Sequence, residues 1–438
     1  MPLVYSPLEL SRHREPSTEA QQPQGTRTAV RRMMELAQRR NLFLPIELMG
    51  IIFDYYVHFY GQLPEKLLLV CRTWYVLALS QPTLWTNIDP RGQFKLTVVK
   101  PWVGTFLQSR IARSNPAPLK VDFTNLRKDM TPNVAKKVAA IPTFLFRIQE
   151  LVISRVLDMN FLAGDQPLLK SLTIFNYPPG EEIIAKLLGK KLTALRLRWV
   201  DKPPTLPDSL LQRLKTLEVT LPQNPEGLHE YWTMIKKSTT LHTLHISPTY
   251  GNAPALFHPT VQHLSIIYPA FQCKPIDSEY SLREVRMPRL QDIVIDTLQP
   301  EALMQLKLVE TPVMSLHLKR RPPIWGAGAA LDTSWVNSAV HLLRSTPALE
   351  KLEISASSSL VSGLLGAFEE DAGLCTELNV FLINDLAEMQ NMRWDDKKNS
   401  KTIFAQLRGT VATFMNKRQS RRMAHSFSKC SQITHKRI

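Results

Sequence analysis

Three histidines, His245, His263 and His317, fall at outward places of a repeated apolar pattern, so metal ligation by imidazoles on one face is the first chemistry to consider. The same pattern sets Asp292 and Asp296 between His263 and His317. Those two rings would then stand two strands apart, roughly 10 Å, too far to share an ion. No metal site is expected. Gly189-Lys190-Lys191 is similar to a phosphate loop, but Ile184 stands where the first glycine is required and no Ser or Thr follows the first lysine. No nucleophile elbow, zinc-protease motif or dinucleotide fingerprint occurs. Cys71, Cys273, Cys375 and Cys430 lie far apart without a C-x-x-C pair, which argues against both a disulfide framework and a zinc site. The chain is therefore expected to be no enzyme and to need no cofactor.

What remains is recognition, and the elements that would present it are readable. Leu-x-x-Leu-x-Leu, with Ile or Val allowed, begins at Ile148, Leu169, Leu192, Leu214, Leu241, Val261, Leu290, Val313, Leu349 and Cys375. The starts are 20 to 36 residues apart, mostly within the roughly 20 to 29 of leucine-rich repeats. The second and third apolar positions share one side of a short strand, and the first anchors the chain entering it. Helical returns are expected at 181–190, 226–238 and 335–345. A strand plus a return leaves an apolar face bare until a neighbour stacks on it, which predicts a parallel sheet in an irregular solenoid over residues 148–384. The intervening residues then form an outward stripe. Its candidate substrate-binding members are Arg196, Arg198, Glu218, His245, His263, Asp292, Asp296, His317 and Lys319, with a basic patch at the two arginines and an acidic one at the two aspartates.

Before the repeats, residues 44 to 85 form a two-helix apolar block. Pro45 suits a first helical turn, and Leu44, Leu48, Ile51, Ile52, Tyr55, Tyr56 and Phe59 would line one apolar face until Gly61. Pro64 opens a second helix with Leu67, Leu68, Cys71, Trp74, Tyr75 and Ala78 on one side, ended by Gln81-Pro82. Such a hairpin is too small to stand alone and needs a partner or a neighbouring domain to cover it. The ordered set Leu44-Pro45, Val70-Cys71-Arg72-x-Trp74 and Leu84-Trp85 resembles an F-box. The resemblance implies docking on a Skp-type adaptor by Leu44, Pro45, Glu47, Leu48, Ile52, Phe53, Leu67, Val70, Cys71, Arg72 and Trp74. The link from Val57 to Lys66 is a few residues longer than the family's usual one.

The composition suits a globular chain, 44% hydrophobic and 21% charged. No stretch reaches the roughly 18 apolar residues of a membrane span, and the N-terminal residues carry no apolar run of secretory length. A cytoplasmic or nuclear location is expected. The expected organisation is an extension at 1–40, the F-box at 41–90, a linker with an atypical first strand at 91–147, the repeats at 148–384, and a helical, basic tail at 385–438. That tail contributes to a net charge of +16 but has little aromatic interleaving, so nucleic acid is not the expected partner. The fold class is α/β: an F-box helical hairpin followed by an irregular leucine-rich-repeat solenoid. The function this implies is the substrate-recognition subunit of a Skp-cullin-F-box ubiquitin ligase, bound to adaptor and cullin scaffold at one end and to a protein substrate at the other. The alternative is a repeat scaffold or nuclear nucleic-acid-associated protein whose hairpin caps the repeats.

Overall fold

A computed structural model describes residues 44–89, 103–124, 136, 141, 144–154, 166–175, 191–200, 202–222, 224–248, 255–268, 282–297, 300–320, 329–371, 373–385, 409–417 and 419–420. The expectations for residues 1–40, for a helix at 181–190 and for the tail past residue 420 lie outside them. The chain divides into two compact units, residues 1–49 and 50–438.

Helix α1 (Ile46–Asp54) continues into a π-helical turn, Tyr55–Phe59. Gly61 follows at φ 61°, a turn conformation that strains any residue with a Cβ. A 3-10 turn (Pro64–Leu69), helix α2 (Arg72–Ser80) and a second 3-10 turn (Pro82–Trp85) complete the helical block. The strands and helices that follow are β1 (Asn87–Ile88), α3 (Val103–Arg113), β2 (Leu119–Asp122), α4 (Phe144–Arg147), β3 (Ile148–Ser154), β4 (Ser171–Phe175) and β5 (Ala194–Arg198). Next come α5 (Asp208–Leu211), β6 (Thr216–Thr220), α6 (Pro225–Lys237), β7 (Thr243–Ser247), β8 (Leu256–Phe257), β9 (His263–Ile267), β10 (Glu284–Arg286) and β11 (Asp292–Asp296). The last are α7 (Pro300–Gln305), β12 (Lys307–Leu308), β13 (Ser315–Lys319), α8 (Ala329–Arg344), β14 (Lys351–Ala356), α9 (Ser358–Glu370) and β15 (Val380–Asp385).

The second unit is mixed α/β around a large parallel sheet. Among the described residues the sheet has twelve strands in the order β1-β2-β3-β4-β5-β6-β7-β9-β11-β13-β14-β15, and β12-β10-β8 form a separate three-stranded sheet. Leu172, Leu195, Leu217, Leu244, Leu264, Ile293, Leu316 and Leu352 face one another rung by rung. Ile174, Leu197, Val219, Ile246, Ile266, Ile295, Leu318 and Ile354 make a second such ladder, and both are buried. A chain of backbone hydrogen bonds runs alongside, from the Lys170 amide on the Gln149 carbonyl to the Asn379 amide on the Glu350 carbonyl.

The helices close the other side of this core. Tyr231, Trp232 and Ile235 of α6, Trp335, Leu342 and Leu343 of α8, and Leu360, Leu364 and Phe368 of α9 belong to one buried cluster with the strands. Asn224 caps α6 by accepting from the Gly227 amide at 2.6 Å, and Pro225 fills the first turn where no amide donor is needed. Past its other end, the fully buried His258 lies with Nε2 3.1 Å from the Ser238 carbonyl. The helices α6 and α8 cover the spans expected at 226–238 and 335–345 except for the last residue of each. Among the described residues no helix is long and apolar enough to cross a membrane.

Two expectations need correction, and one feature was not foreseen. The second hairpin helix is broken: Cys71 sits extended at φ −162° between the 3-10 turn and α2, so Leu67 and Trp74 lie on separate segments. The last apolar repeat starts at Leu378, not Cys375. Phe381 stands opposite Leu352 and Ile383 opposite Ile354, while Cys375 occupies the preceding turn at φ 48° with its thiol 3.5 Å from the Leu343 carbonyl. Finally, the returns after β7, β9 and β11 carry extra short strands, β8, β10 and β12, whose lengths of two or three residues give no readable alternation.

Leu264 lies in the middle of the first ladder at 1% exposure. Leu264→Ala should cost about 2 to 5 kcal/mol by opening a cavity that neighbours on two strands cannot fill. Urea denaturation measures this, and a loss below about 1 kcal/mol would contradict the packing described.

Candidate functional site

In the second unit, the helical block has a buried and an exposed apolar side. Phe53, Val57, Leu67, Leu77, Ala78, Leu84 and Trp85 are buried. Ile51, Ile52, Tyr55, Phe59, Tyr60, Leu69, Val70, Tyr75 and Val76 are exposed, Leu69 by 85%. The stripe that the spacing picks out therefore faces solvent, and Phe53 and Val57, which lie off it, make the packed side. A π-helical turn widens the spacing just there. It brings Tyr55 and Phe59 into a parallel stack at 4.4 Å, with Tyr60 edge-on to both. Sequence periodicity puts Tyr55 and Phe59 on one face but leaves out Tyr60.

The expected adaptor-docking residues divide accordingly. Ile52, Val70, Cys71 and Arg72 are exposed, and Trp74 is half-buried with its ring 4.8 Å from that of Phe53. Phe53 and Leu67 are buried and serve as support. Leu44, Pro45, Glu47 and Leu48 belong to the first unit and are exposed.

A charged clamp ties this block to the sheet. Arg110 of α3, 4% exposed, donates from Nε and Nη2 to the two carboxylate oxygens of Glu65 at 2.8 and 2.7 Å, and from Nη1 to the Asn87 carbonyl of β1 at 2.9 Å. One turn on, Arg113 lies over the Trp85 ring at 4.6 Å, and the Trp85 Nε1 donates to the Ala78 carbonyl at 2.8 Å. Bidentate geometry on a nearly dry arginine makes this pair stiff. Sequence reasoning missed it because the partners are 45 residues apart and no local pattern links them.

The outward stripe of the sheet is where alternation puts it. Arg196 on β5, Glu218 on β6 and His245 on β7 occupy one row, and Arg198 stands two residues beyond Arg196. Glu218 engages both arginines, at 3.2 Å from Arg196 Nε and 2.5 Å from Arg198 Nε. His263 Nδ1 is 2.7 Å from Asp292 of the adjacent strand. His317 places Nδ1 3.4 Å from Glu353 and Nε2 2.9 Å from the Ser355 hydroxyl. Lys319 follows on the same strand, half-buried. Asp296 was expected to face a ligand but is buried, standing between Ile267 and Lys319 on the strands either side. The acidic patch is thus reduced to Asp292.

No protein-family model matches this chain, and no curated protein matches it. The site must be read from its own chemistry. β11 separates His263 from His317, and among the described residues no group of three or more His, Cys, Asp or Glu side chains is arranged to hold a metal ion. Burial lowers the affinity of His245 for a proton, against the opposing pull of Glu218, and Arg196 and Arg198 lower it further. Burial likewise lowers that of His317, more than Glu353 restores, and that of His258. What the face offers is paired charge and hydroxyl groups on a rigid sheet, an arrangement suited to binding.

Two outcomes follow. Glu65→Ala leaves Arg110 buried and unpaired, and should cost about 3 kcal/mol in chemical denaturation. Equal stability would mean that the clamp carries no weight. The lowered histidines take up protons less readily when folded than when unfolded, where their ordinary value is about 6.5. Unfolded chains therefore bind more protons just below that pH, so stability should fall as pH drops from 7.5 to 5.5. Thermal melts at the two values should separate, and less so in His258→Gln; coincident melts would contradict the assignment.

Proposed function

We propose that this chain is the substrate-recognition subunit of a Skp-cullin-F-box ubiquitin ligase, with no catalytic site of its own, acting in the cytoplasm or nucleus. The hairpin is the F-box, and the sheet with its returns is an irregular leucine-rich-repeat solenoid that selects a protein substrate. The observation that carries this reading is the exposed apolar side of the hairpin. Ile51, Ile52, Tyr55, Phe59, Leu69, Val70, Tyr75 and Val76 expose large apolar surface within one short segment. Large apolar side chains exposed in such number suit a protein interface, because leaving them in water is costly. The ordered Leu-Pro, Val-Cys-Arg-x-Trp and Leu-Trp sequence supplies the kind of partner, a Skp-type adaptor. The resemblance gives the same role to exposed Leu44, Pro45, Glu47 and Leu48.

A hairpin that only caps the sheet is the second reading, and the Glu65–Arg110 clamp favours it to this extent: the block is fastened to the first strand. A cap, however, turns its apolar side inward. This block buries Phe53, Leu67, Leu84 and Trp85 and leaves a second set of apolar residues exposed. The fastening suits a receptor as well, since transfer to a bound substrate depends on a fixed distance between adaptor and cargo.

Ile52 and Val70 are exposed, so Ile52→Asp with Val70→Asp should leave the melting temperature within a few degrees of the parent. The same pair should reduce capture of a purified Skp adaptor at least about tenfold, as expected for charges placed in an apolar contact. Adaptor capture that is undiminished in this variant, or absent in the parent chain, would remove the F-box assignment.

A further inference from the structure

We infer that the open face of the sheet binds an acidic segment of a partner protein, one carboxylate of which seats on Arg196 and Arg198. This deepens the cargo-binding half of the proposed function and rests on that half alone.

Arg196 and Arg198 stand two residues apart on β5, so both side chains leave the sheet on the same face. Both guanidiniums are held in place before any ligand arrives. Glu218 takes the Nε of each, the Ser171 hydroxyl accepts from Arg196 Nη1 at 3.2 Å, and the Phe175 ring lies under Arg198 at 5.4 Å. Fixing a long side chain in advance removes the ordering cost that usually weakens surface contacts.

Two guanidiniums against one carboxylate leave a surplus of one positive charge. Glu218 is spent on that pairing at 17% exposure, whereas the arginines remain 37% and 42% exposed. Among the described residues Arg198 makes no hydrogen bond through its two terminal amino groups, and Arg196 makes one, to Ser171. Those groups are the donors that a carboxylate accepts in pairs. The described residues of the adjacent row add no charge to the surplus. Thr216 and Thr243 on the adjacent row are neutral, and burial, against the pull of Glu218, and the arginines lower the proton affinity of His245. A single carboxylate matches a surplus of one charge. A dianionic phosphate would leave one negative charge uncompensated on a partly desolvated sheet.

The test uses the full chain and three labelled Gly-Ser peptides that differ only in a central pair: Glu-Glu, Lys-Lys or two phosphoserines. Fluorescence anisotropy should show binding of the Glu-Glu peptide that weakens with added salt, and none of the Lys-Lys peptide. In Arg196→Ala with Arg198→Ala, affinity for Glu-Glu should fall about tenfold or more, in line with loss of charge-assisted hydrogen bonds. If circular dichroism shows that the double variant does not fold, Arg198→Gln alone decides by the same comparison. The inference is overturned by absent binding of Glu-Glu, by equal binding of Lys-Lys, or by an affinity that the arginine variants leave unchanged. A phosphoserine peptide bound more than about tenfold tighter than Glu-Glu would also overturn it and make the face a phosphate reader. Adaptor capture is not part of the readout, so failure of the F-box assignment leaves this result standing, and the reverse holds too.

Discussion

No strand of this protein can bury its apolar side by itself. Each of the core strands brings two apolar residues and an entering one, and the only surface that matches them is the same triplet one strand along. Stacking in parallel and in register is therefore the condition on which all else depends. It fixes which residues point outward, and so determines that Arg196, Glu218 and His245 form a row instead of being scattered. A slip of a single residue would turn every one of them inward. The backbone chain from Gln149 to Asn379 holds the register independently of side chains, which explains why rungs as different as Leu352 and Phe381 still align.

The sheet was legible because this condition writes itself into the sequence at a fixed spacing. Where spacing carried the information, as at Leu214, Leu217 and Val219, strand and facing followed directly. It failed where a local event consumed residues without changing their type. Cys375 and Leu378 both fit the apolar start of a repeat, and only the left-handed turn at Cys375 reveals which of them starts the strand. The short strands β8, β10 and β12 left no trace, since two or three residues cannot display an alternation. Asp296 shows a third limit. Alternation gives the face on which a side chain lies, but the neighbours Ile267 and Lys319 decide whether it is reachable.

Helical spacing picked out the apolar stripe of the helical block but not which of its residues are buried. Helical spacing marked an apolar stripe through Ile51, Tyr55 and Phe59, and amphipathic helices ordinarily turn such a stripe to the core. Here the core takes Phe53 and Val57, and the richer stripe is left in water. Tyr55, Phe59 and Tyr60 shelter one another instead, an arrangement made by the π-helical turn. Long-range charge pairing was invisible for a different reason. Glu65 and Arg110 meet only because the helical block folds back on α3, and neither residue has a neighbour in sequence that announces the other.

The second sheet alters what the chain can lose. Elsewhere, removing one strand with its return would bring two matching triplets together, much as a link can be taken from a bracelet and the ends rejoined. Between β7 and β13 that operation is not available. β10 holds β8 on one side and β12 on the other, while β9 and β11 stand in the large sheet, so each segment there is sewn into two ladders at once. Excising any one of them would tear a second seam, and variation in the length of this protein is most easily accommodated on either side of that block.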